Sequence, residues 1–149
     1  MTEFSNLIKM KNPLIRILAG VVGGVVGFLV VSAMFHNGED QGSLDANLNR
    51  VADELNKKLP MMVDEQTRLD QVSAKTGTLI YSYSLPNENK GDVDFSTLQK
   101  KLRPNIIANY RDNQAMKELR KWNVGLDYQY KDKNGETIGE ILVTPKDFE

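Results

Sequence analysis

The chain has 149 residues, which suits one domain with an appendage, and it contains no cysteine, so disulfides, cysteine-based zinc sites and cysteine nucleophiles are excluded. Its 19 lysines and arginines are balanced by 20 aspartates and glutamates. This balance argues against a nucleic-acid-binding protein, which needs a concentrated basic face to contact phosphates.

An apolar run extends from Ile17 to Phe35, and Ser32 is its only polar residue. A helix over this run would be roughly 28 Å long at about 1.5 Å per residue, close to the hydrocarbon thickness of a bilayer. Lys9, Lys11 and Arg16 precede the run, and basic residues on that side predict a cytoplasmic N-terminus. The sequence therefore predicts a single-pass protein of the bacterial inner membrane with a periplasmic C-terminal domain.

A cleaved signal peptide is the alternative interpretation of the same run, because such a peptide also has a basic start and an apolar centre. The small residues around Val31-Ser32-Ala33 suit a cleavage site and would leave a mature N-terminus near Met34. Both interpretations export the rest of the chain, and the sequence leaves the choice between them open.

Four glycines lie within the apolar run. On a helix, Gly20, Gly24 and Gly27 share one face, and Gly23 forms a second small-xxx-small pair with Gly27. Small residues let membrane helices approach closely, so this face predicts packing against other membrane-protein subunits or a second copy of the chain. The alternative is that these glycines reflect only the high frequency of glycine in membrane helices.

The expected organisation has four parts: a cytoplasmic segment over 1–16, a transmembrane helix over 17–35, a linker over 36–43 and a periplasmic domain over 44–149. The linker sequence "HNGEDQGS" is polar and glycine-containing, which is typical of a flexible connection.

The domain begins with a predicted helix whose apolar residues recur at helical spacing from Leu44 to Leu59. Ser43 is its predicted N-cap, and Pro60 ends it. Two strand-like runs then flank the turn Lys75-Thr76-Gly77, which predicts an antiparallel hairpin.

A second helix is predicted after a cap at Asp94, and its pattern is interrupted at Pro104, where we expect a bend or a restart. A further helix follows in "NQAMKELRKW". The turn Asn134-Gly135 predicts a second hairpin. The pattern α-β-β-α-α-β-β predicts an α+β fold with a four-stranded antiparallel sheet and helices on one face.

Several segments resemble a family of small, largely uncharacterised bacterial envelope proteins, over about residues 47–148. They are "LNKKLPMMVDEQTRLDQVSA", the strands with the pattern Y-x-Y and the closing "VTPKDF", and "LPMMVDEQTRLD" is the most specific part. The resemblance implies an exported α+β domain and supplies no activity. Relatives often carry two cysteines at positions that match the region of Tyr110 and Phe148. We therefore expect an apolar contact between these two aromatic residues in place of a bridge.

Motifs for chemistry are sparse. His36, the only histidine, lies in the predicted linker, so a Ser-His-Asp arrangement is not expected. The segment "DKNGE" lacks the twelve-residue ligand series of a calcium loop and is interpreted as turn chemistry. Asp64, Glu65 and Asp70 are the candidates for a carboxylate-dependent hydrolase, the less favoured alternative. We predict no catalytic residue, no cofactor and no metal.

Two groups of side chains are candidate partner surfaces. The methionines after the helix stop either seal the core or dock a partner, and the strand tyrosines form either part of the core or a recognition face. The residues are Met61, Met62, Tyr81, Tyr83, Tyr128 and Tyr130. The leading hypothesis is a non-enzymatic, membrane-tethered interaction module, an accessory or assembly subunit of an envelope complex that binds no nucleic acid. The alternative is a soluble periplasmic binding module.

Overall fold

The structure is a computed structural model, and it describes residues 43–148. These residues contain three α-helices and five strands. The helices are α1 (Leu44–Asn56), α2 (Phe95–Asp112) and α3 (Lys117–Lys121). The strands are β1 (Met61–Met62), β2 (Arg68–Lys75), β3 (Thr78–Ser84), β4 (Gly125–Lys131) and β5 (Thr137–Val143).

The strands form one sheet in the order β1-β2-β3-β4-β5. Neighbouring strands are antiparallel except for β3 and β4, which are parallel. The predicted turns of both hairpins are confirmed: Thr76 and Gly77 have φ angles of 50° and 70° in the first, and Gly135 has a φ of 83° in the second. Left-handed φ angles at these positions suit the tight turns of hairpins.

The predicted four-stranded antiparallel sheet is wrong in two respects. First, α2 and α3 lie between β3 and β4, so the chain crosses the sheet and re-enters it at the same end, which makes these two strands parallel. Second, Met61 and Met62 form a fifth strand at the edge of the sheet. This strand has only two residues, too few to show an alternating pattern in the sequence.

The predicted caps are confirmed at both long helices. The hydroxyl of Ser43 accepts a hydrogen bond from the backbone of Ala46 at 3.3 Å, and the carboxylate of Asp94 accepts one from Thr97 at 3.1 Å. Helix α2 continues through Pro104 to Asp112 without restarting. Its buried face consists of Leu98, Leu102, Ile106 and Tyr110.

The side chain of Asn56, at the end of α1, covers part of the outer edge of β2. Its amide nitrogen donates to the carbonyl of Val72 at 2.7 Å, and its oxygen accepts from the backbone nitrogen of Val72 at 2.8 Å. These two hydrogen bonds replace those that a neighbouring strand would make with β2 at Val72, where β1 no longer pairs with it. An unpaired edge invites pairing with another chain, so Asn56 protects the sheet at this position.

The sequence contains the pattern L-x-Y-x-Y twice, at 79–83 and at 126–130, and the two segments lie side by side on β3 and β4. The parallel register pairs Leu79 with Leu126, Tyr81 with Tyr128 and Tyr83 with Tyr130. Helix α1 packs on β2 and α2 packs on β5. The paired leucines and tyrosines lie on the face of the sheet that these helices cover, and most of them are buried there. The core therefore lies in a single layer between the helices and this face.

The predicted transmembrane helix over 17–35 lies outside the described residues, as do Gly20, Gly23, Gly24 and Gly27. Among residues 43–148, no helix has both the length and the apolar character needed to cross a membrane. The fold class is corrected accordingly: the described residues form a five-stranded mixed sheet with three helices, in place of a membrane helix followed by four antiparallel strands.

Candidate functional site

The edge strand β1 exposes two large apolar side chains. Met61 is 37% exposed and Met62 is 49% exposed, and they pair with Leu69 and Arg68 on β2. Their flexible thioethers adapt to irregular apolar surfaces. The structure thus leaves both methionines partly exposed, outside the buried core.

The loop that follows β1 contains polar groups without partners. One carboxylate oxygen of Asp64, Oδ1, accepts hydrogen bonds from the backbone nitrogens of Gln66 and Thr67, each at 2.7 Å. Asp64 Oδ2, Gln66 Oε1 and Thr67 Oγ1 are buried and have no hydrogen-bond partner among the described residues. Unpaired buried acceptors cost folding free energy and often mark functional segments.

We call Met61, Met62 and the loop Asp64–Thr67 the methionine surface. It combines exposed apolar area with the loop whose polar groups are least satisfied. Sequence reasoning found the methionines but missed Gln66 and Thr67. The spacing of Asp64 and Thr67 is a signal for the turn, because aspartate often accepts from backbone nitrogens two and three residues later. Nothing in the sequence indicates that the other oxygens lack donors.

The four strand tyrosines form a stacked strip within the core. The ring centroids of Tyr81 and Tyr128 are 5.3 Å apart, and those of Tyr83 and Tyr130 are also 5.3 Å apart. Tyr81, Tyr128 and Tyr130 are at most 6% exposed, and Tyr83 is partly buried against the core. These tyrosines therefore belong to the core. Of the six residues predicted as partner surfaces, only Met61 and Met62 are exposed.

The strip is electrostatically coupled to the methionine surface. Burial is the largest cause of the raised pKa values of Tyr83 and Tyr130. The neighbouring tyrosines of the strip raise the pKa of Tyr83 further, and the negative charge of Asp64 adds a smaller effect at Tyr83 and also raises the pKa of Tyr130. The carboxylate of Asp64 thus lies close enough to the end of the strip to affect its hydroxyl groups.

We expect the tyrosines to ionise only in strongly alkaline solution. Burial raises the pKa of Tyr81 to about 12 and also raises those of Tyr83, Tyr110, Tyr128 and Tyr130. A raised pKa in the folded state gives stability that is complete below the unfolded tyrosine value of about 10 and is lost as the pH rises above it.

This behaviour is measured by following phenolate absorbance and circular dichroism through the same alkaline titration. The expected result is that phenolate formation is delayed well beyond pH ~10 and coincides with unfolding. Tyrosines that ionise near pH ~10 while the fold persists would contradict the buried strip.

Two of the three candidate carboxylates, Asp64 and Asp70, have structural partners in the described residues. Asp70 forms an ion pair with Arg68, Glu65 is exposed, and Asp64 organises its own loop. Residues 43–148 contain no group of three or more His, Cys, Asp or Glu side chains that could hold a metal ion.

The segment "DKNGE" is a turn, as predicted. Asp132 is buried, and its Oδ1 accepts from the backbone nitrogens of Asn134 at 2.8 Å and Glu136 at 2.9 Å, while its Oδ2 accepts from that of Lys90 at 3.1 Å. Burial acts to raise the pKa of Asp132, but these hydrogen bonds lower it. The carboxylate joins the β4–β5 turn to the loop before α2.

The fold is similar to that of known bacterial proteins. A predicted secreted protein of Pseudomonas aeruginosa has a TM-score of 0.60 and 15% identity, with 71% of this chain and 93% of that chain covered. The type 2 secretion system pilotin EpsS of Vibrio vulnificus has a TM-score of 0.56 and 12% identity, with coverages of 71% and 92%.

A third similar structure is the type II secretion system pilotin AspS of Vibrio cholerae. Its TM-score is 0.52 and its identity is 13%, with 70% of this chain and 91% of that chain covered. At such identities the likeness shows a shared fold. The predicted small α+β domain is confirmed at this level.

The predicted localisation, a single-pass inner-membrane protein, is contradicted by two findings and is corrected here. No helix among residues 43–148 suits a membrane span, and the similar folds belong to a predicted secreted protein and to pilotins.

No functionally curated protein matches the chain. Residues 43–139, about two thirds of the sequence, match a family described as a domain of unknown function, DUF8479. The match includes α1, α2, α3 and all of the strands except the last part of β5. The chain therefore belongs to the DUF8479 family.

Proposed function

We propose that this chain is a non-enzymatic interaction module and acts as an accessory or assembly subunit of a bacterial envelope complex. The observation that carries the proposal is the fold shared with two type II secretion pilotins over 71% and 70% of the chain. The partner is a protein subunit of the same complex, and the domain works on the periplasmic side, in keeping with the similar predicted secreted protein.

The methionine surface is the proposed contact with that subunit. Met61 and Met62 lie next to each other on an edge strand and remain more than a third exposed. Full burial of an exposed methionine side chain contributes roughly 1.5–3 kcal/mol. Because Met61 and Met62 are already about half-buried, completing their burial contributes on the order of 2 kcal/mol for the pair, which is comparable to one strong anchor of a protein contact.

Four carboxyl groups of the described residues are poor candidates for the general acid of a hydrolase. Hydrogen bonds lower the pKa values of Asp94, Asp112 and Asp147, and at Asp132 they outweigh the raising effect of burial. A carboxylate-dependent hydrolase needs a general acid with a raised pKa. Each of these four groups is shifted in the opposite direction.

The test is photo-crosslinking of the full-length chain in its own cells, with a photoreactive amino acid in place of Met62. We expect adducts with one defined envelope protein. The matched control carries the same amino acid at Lys75, which is exposed at the opposite end of β2 from Arg68, the residue that pairs with Met62. Changing Met61→Ser beside the probe should reduce the adduct about tenfold, since it removes one apolar anchor.

Two results would overturn the proposal. One is the same adduct pattern from positions 62 and 75, which indicates random collisions. The other is the absence of any protein adduct at position 62 while the chain is folded and present at its normal level.

A further inference from the structure

The loop that follows β1 has too few hydrogen-bond donors for its acceptors. Asp64 Oδ1 accepts from the backbone nitrogens of Gln66 and Thr67. Asp64 Oδ2, Gln66 Oε1 and Thr67 Oγ1 are buried and receive no hydrogen bond from the described residues. A buried acceptor without a donor costs folding free energy, and a group that supplies the donor recovers it. The complement of this loop is therefore a group rich in donors.

The loop is also negatively charged. Asp64 and Glu65 are acidic, and the loop Asp64–Thr67 contains no basic residue. Arg68 follows the loop but pairs with Asp70, with 2.5 Å between Arg68 Nε and Asp70 Oδ1. Among residues 43–148, no lysine or arginine forms an ion pair with Asp64. The donor that suits this loop therefore carries a positive charge.

Two of the three residues with unpaired acceptors reach the surface. Asp64 and Gln66 are half-buried, whereas Thr67 is 1% exposed. The amide oxygen of Gln66 is not held by any hydrogen bond from the described residues, so the side chain can turn toward an incoming donor. A partner can thus reach Asp64 and Gln66 without opening the interior around Thr67.

An arginine side chain matches these two residues. Its guanidinium group is positively charged and has five N–H donors and no acceptor, so it can donate to a carboxylate and an amide oxygen together. Lysine has a compact, strongly hydrated charge with three donors and lacks this planar fork. The exposed thioethers of Met61 and Met62 lie directly before the loop and provide apolar contact beside the charged group.

We propose that the methionine surface binds a segment of another protein in which an arginine is flanked by apolar residues. The arginine donates to Asp64 and Gln66, and the apolar side chains pack on Met61 and Met62. The inference rests on the proposed function in that the partner is a protein, and it adds the chemistry of the bound segment. An anionic membrane is the less suitable occupant, because Asp64 and Glu65 repel phosphate groups.

The test compares adduct yields in the full-length chain with the photoreactive amino acid at position 62, in its own cells. The first variant adds Asp64→Asn. Asparagine keeps the Oδ1 acceptor of the turn and removes the negative charge and Oδ2. We expect the adduct yield to fall about tenfold, because the charge-assisted hydrogen bonds from the arginine are lost.

The matched control is Asp53→Asn, the same change at an exposed residue of α1 outside the methionine surface. It should leave the adduct yield unchanged. Circular dichroism and thermal unfolding of the purified variants show whether each keeps the fold. A binding residue at position 64 lowers the yield alone. Parallel losses of thermal stability and yield would show a structural role and contradict the binding role.

Mass spectrometry of the adduct identifies the bound segment. We expect it to contain an arginine with apolar neighbours. Replacing that arginine of the partner with alanine should lower the adduct yield as Asp64→Asn does. The two changes together should lower it no further than either alone, because both remove the same contact.

Other results would also overturn the inference. They are a bound segment without arginine, equal yields with Asp64→Asn and Asp53→Asn, and additive losses when Asp64→Asn is combined with the change in the partner. In each of these cases the proposed function stands, because position 62 still crosslinks to a protein. A lipid adduct, a crosslink between two copies of this chain, or the absence of any adduct at position 62 contradicts both proposals.

Discussion

Replacing Tyr110 with alanine is expected to lower the free energy of unfolding by about 3–5 kcal/mol, as removal of a large buried aromatic side chain commonly does. Tyr110 is fully buried, its ring stacks on Phe148 with centroids 4.1 Å apart, and its hydroxyl donates to the carbonyl of Val124 at 2.7 Å. The substitution removes all three contributions. Denaturant unfolding of the full-length chain measures the change.

Tyr110→Phe separates the ring from the hydroxyl. It keeps the stacking on Phe148 and leaves the carbonyl of Val124 without its donor, so we expect a loss of about 1–2 kcal/mol. Equal losses for the phenylalanine and alanine variants would show that ring packing contributes nothing. The contact itself confirms the expectation, based on family resemblance, that these two aromatic residues meet.

Gly139→Ala is expected to cost about 1–3 kcal/mol, although alanine is ordinarily at least as favourable as glycine in a strand. An added Cβ at Gly139 would overlap three carbons of the Phe95 ring. Phe95 is the first residue of α2, and its ring packs against that of Tyr130 with a centroid distance of 6.1 Å. The ring must therefore move away from its position between the helix and β5.

Gly91→Ala is the matched control, because an added Cβ there meets nothing within 4 Å. We expect it to be neutral or to stabilise the fold by up to about 1 kcal/mol, since alanine restricts the unfolded chain. Thermal unfolding of the two variants under identical conditions gives the comparison. If Gly139→Ala is no less stable than Gly91→Ala, the close packing of Phe95 on β5 is not important for stability.

Features fixed by neighbouring residues could be predicted from the sequence. Ser43 and Asp94 cap their helices, and Gly77 and Gly135 adopt the left-handed conformations of hairpin turns. In each case the deciding interaction lies within four residues, so the local pattern contains the necessary information.

The arrangement of the sheet depended on contacts distant in sequence. The alternation of residues defines each strand, but the direction of β3 relative to β4 follows from how α2 and α3 cross the sheet. The repeated L-x-Y-x-Y pattern can be found in the sequence, but the sequence does not show that the two copies pair with each other in parallel register. The pairing of Met61 with Leu69 likewise depends on the tertiary fold.

The candidate site was predicted only in part for the same reason. From the sequence, both the tyrosines and the methionines could belong either to the core or to the surface. The structure buries the tyrosines and leaves the methionines exposed.

Through the methionine surface, the chain is proposed to assist the assembly of an envelope complex. Native gel electrophoresis of solubilised envelopes, probed for the protein that crosslinks at position 62, tests this most directly. Cells with the wild-type chain, without it, and with Met61→Ser and Met62→Ser together are compared. We predict that the partner occurs in a large assembly only with the wild-type chain. An identical assembly in all three strains would contradict the account.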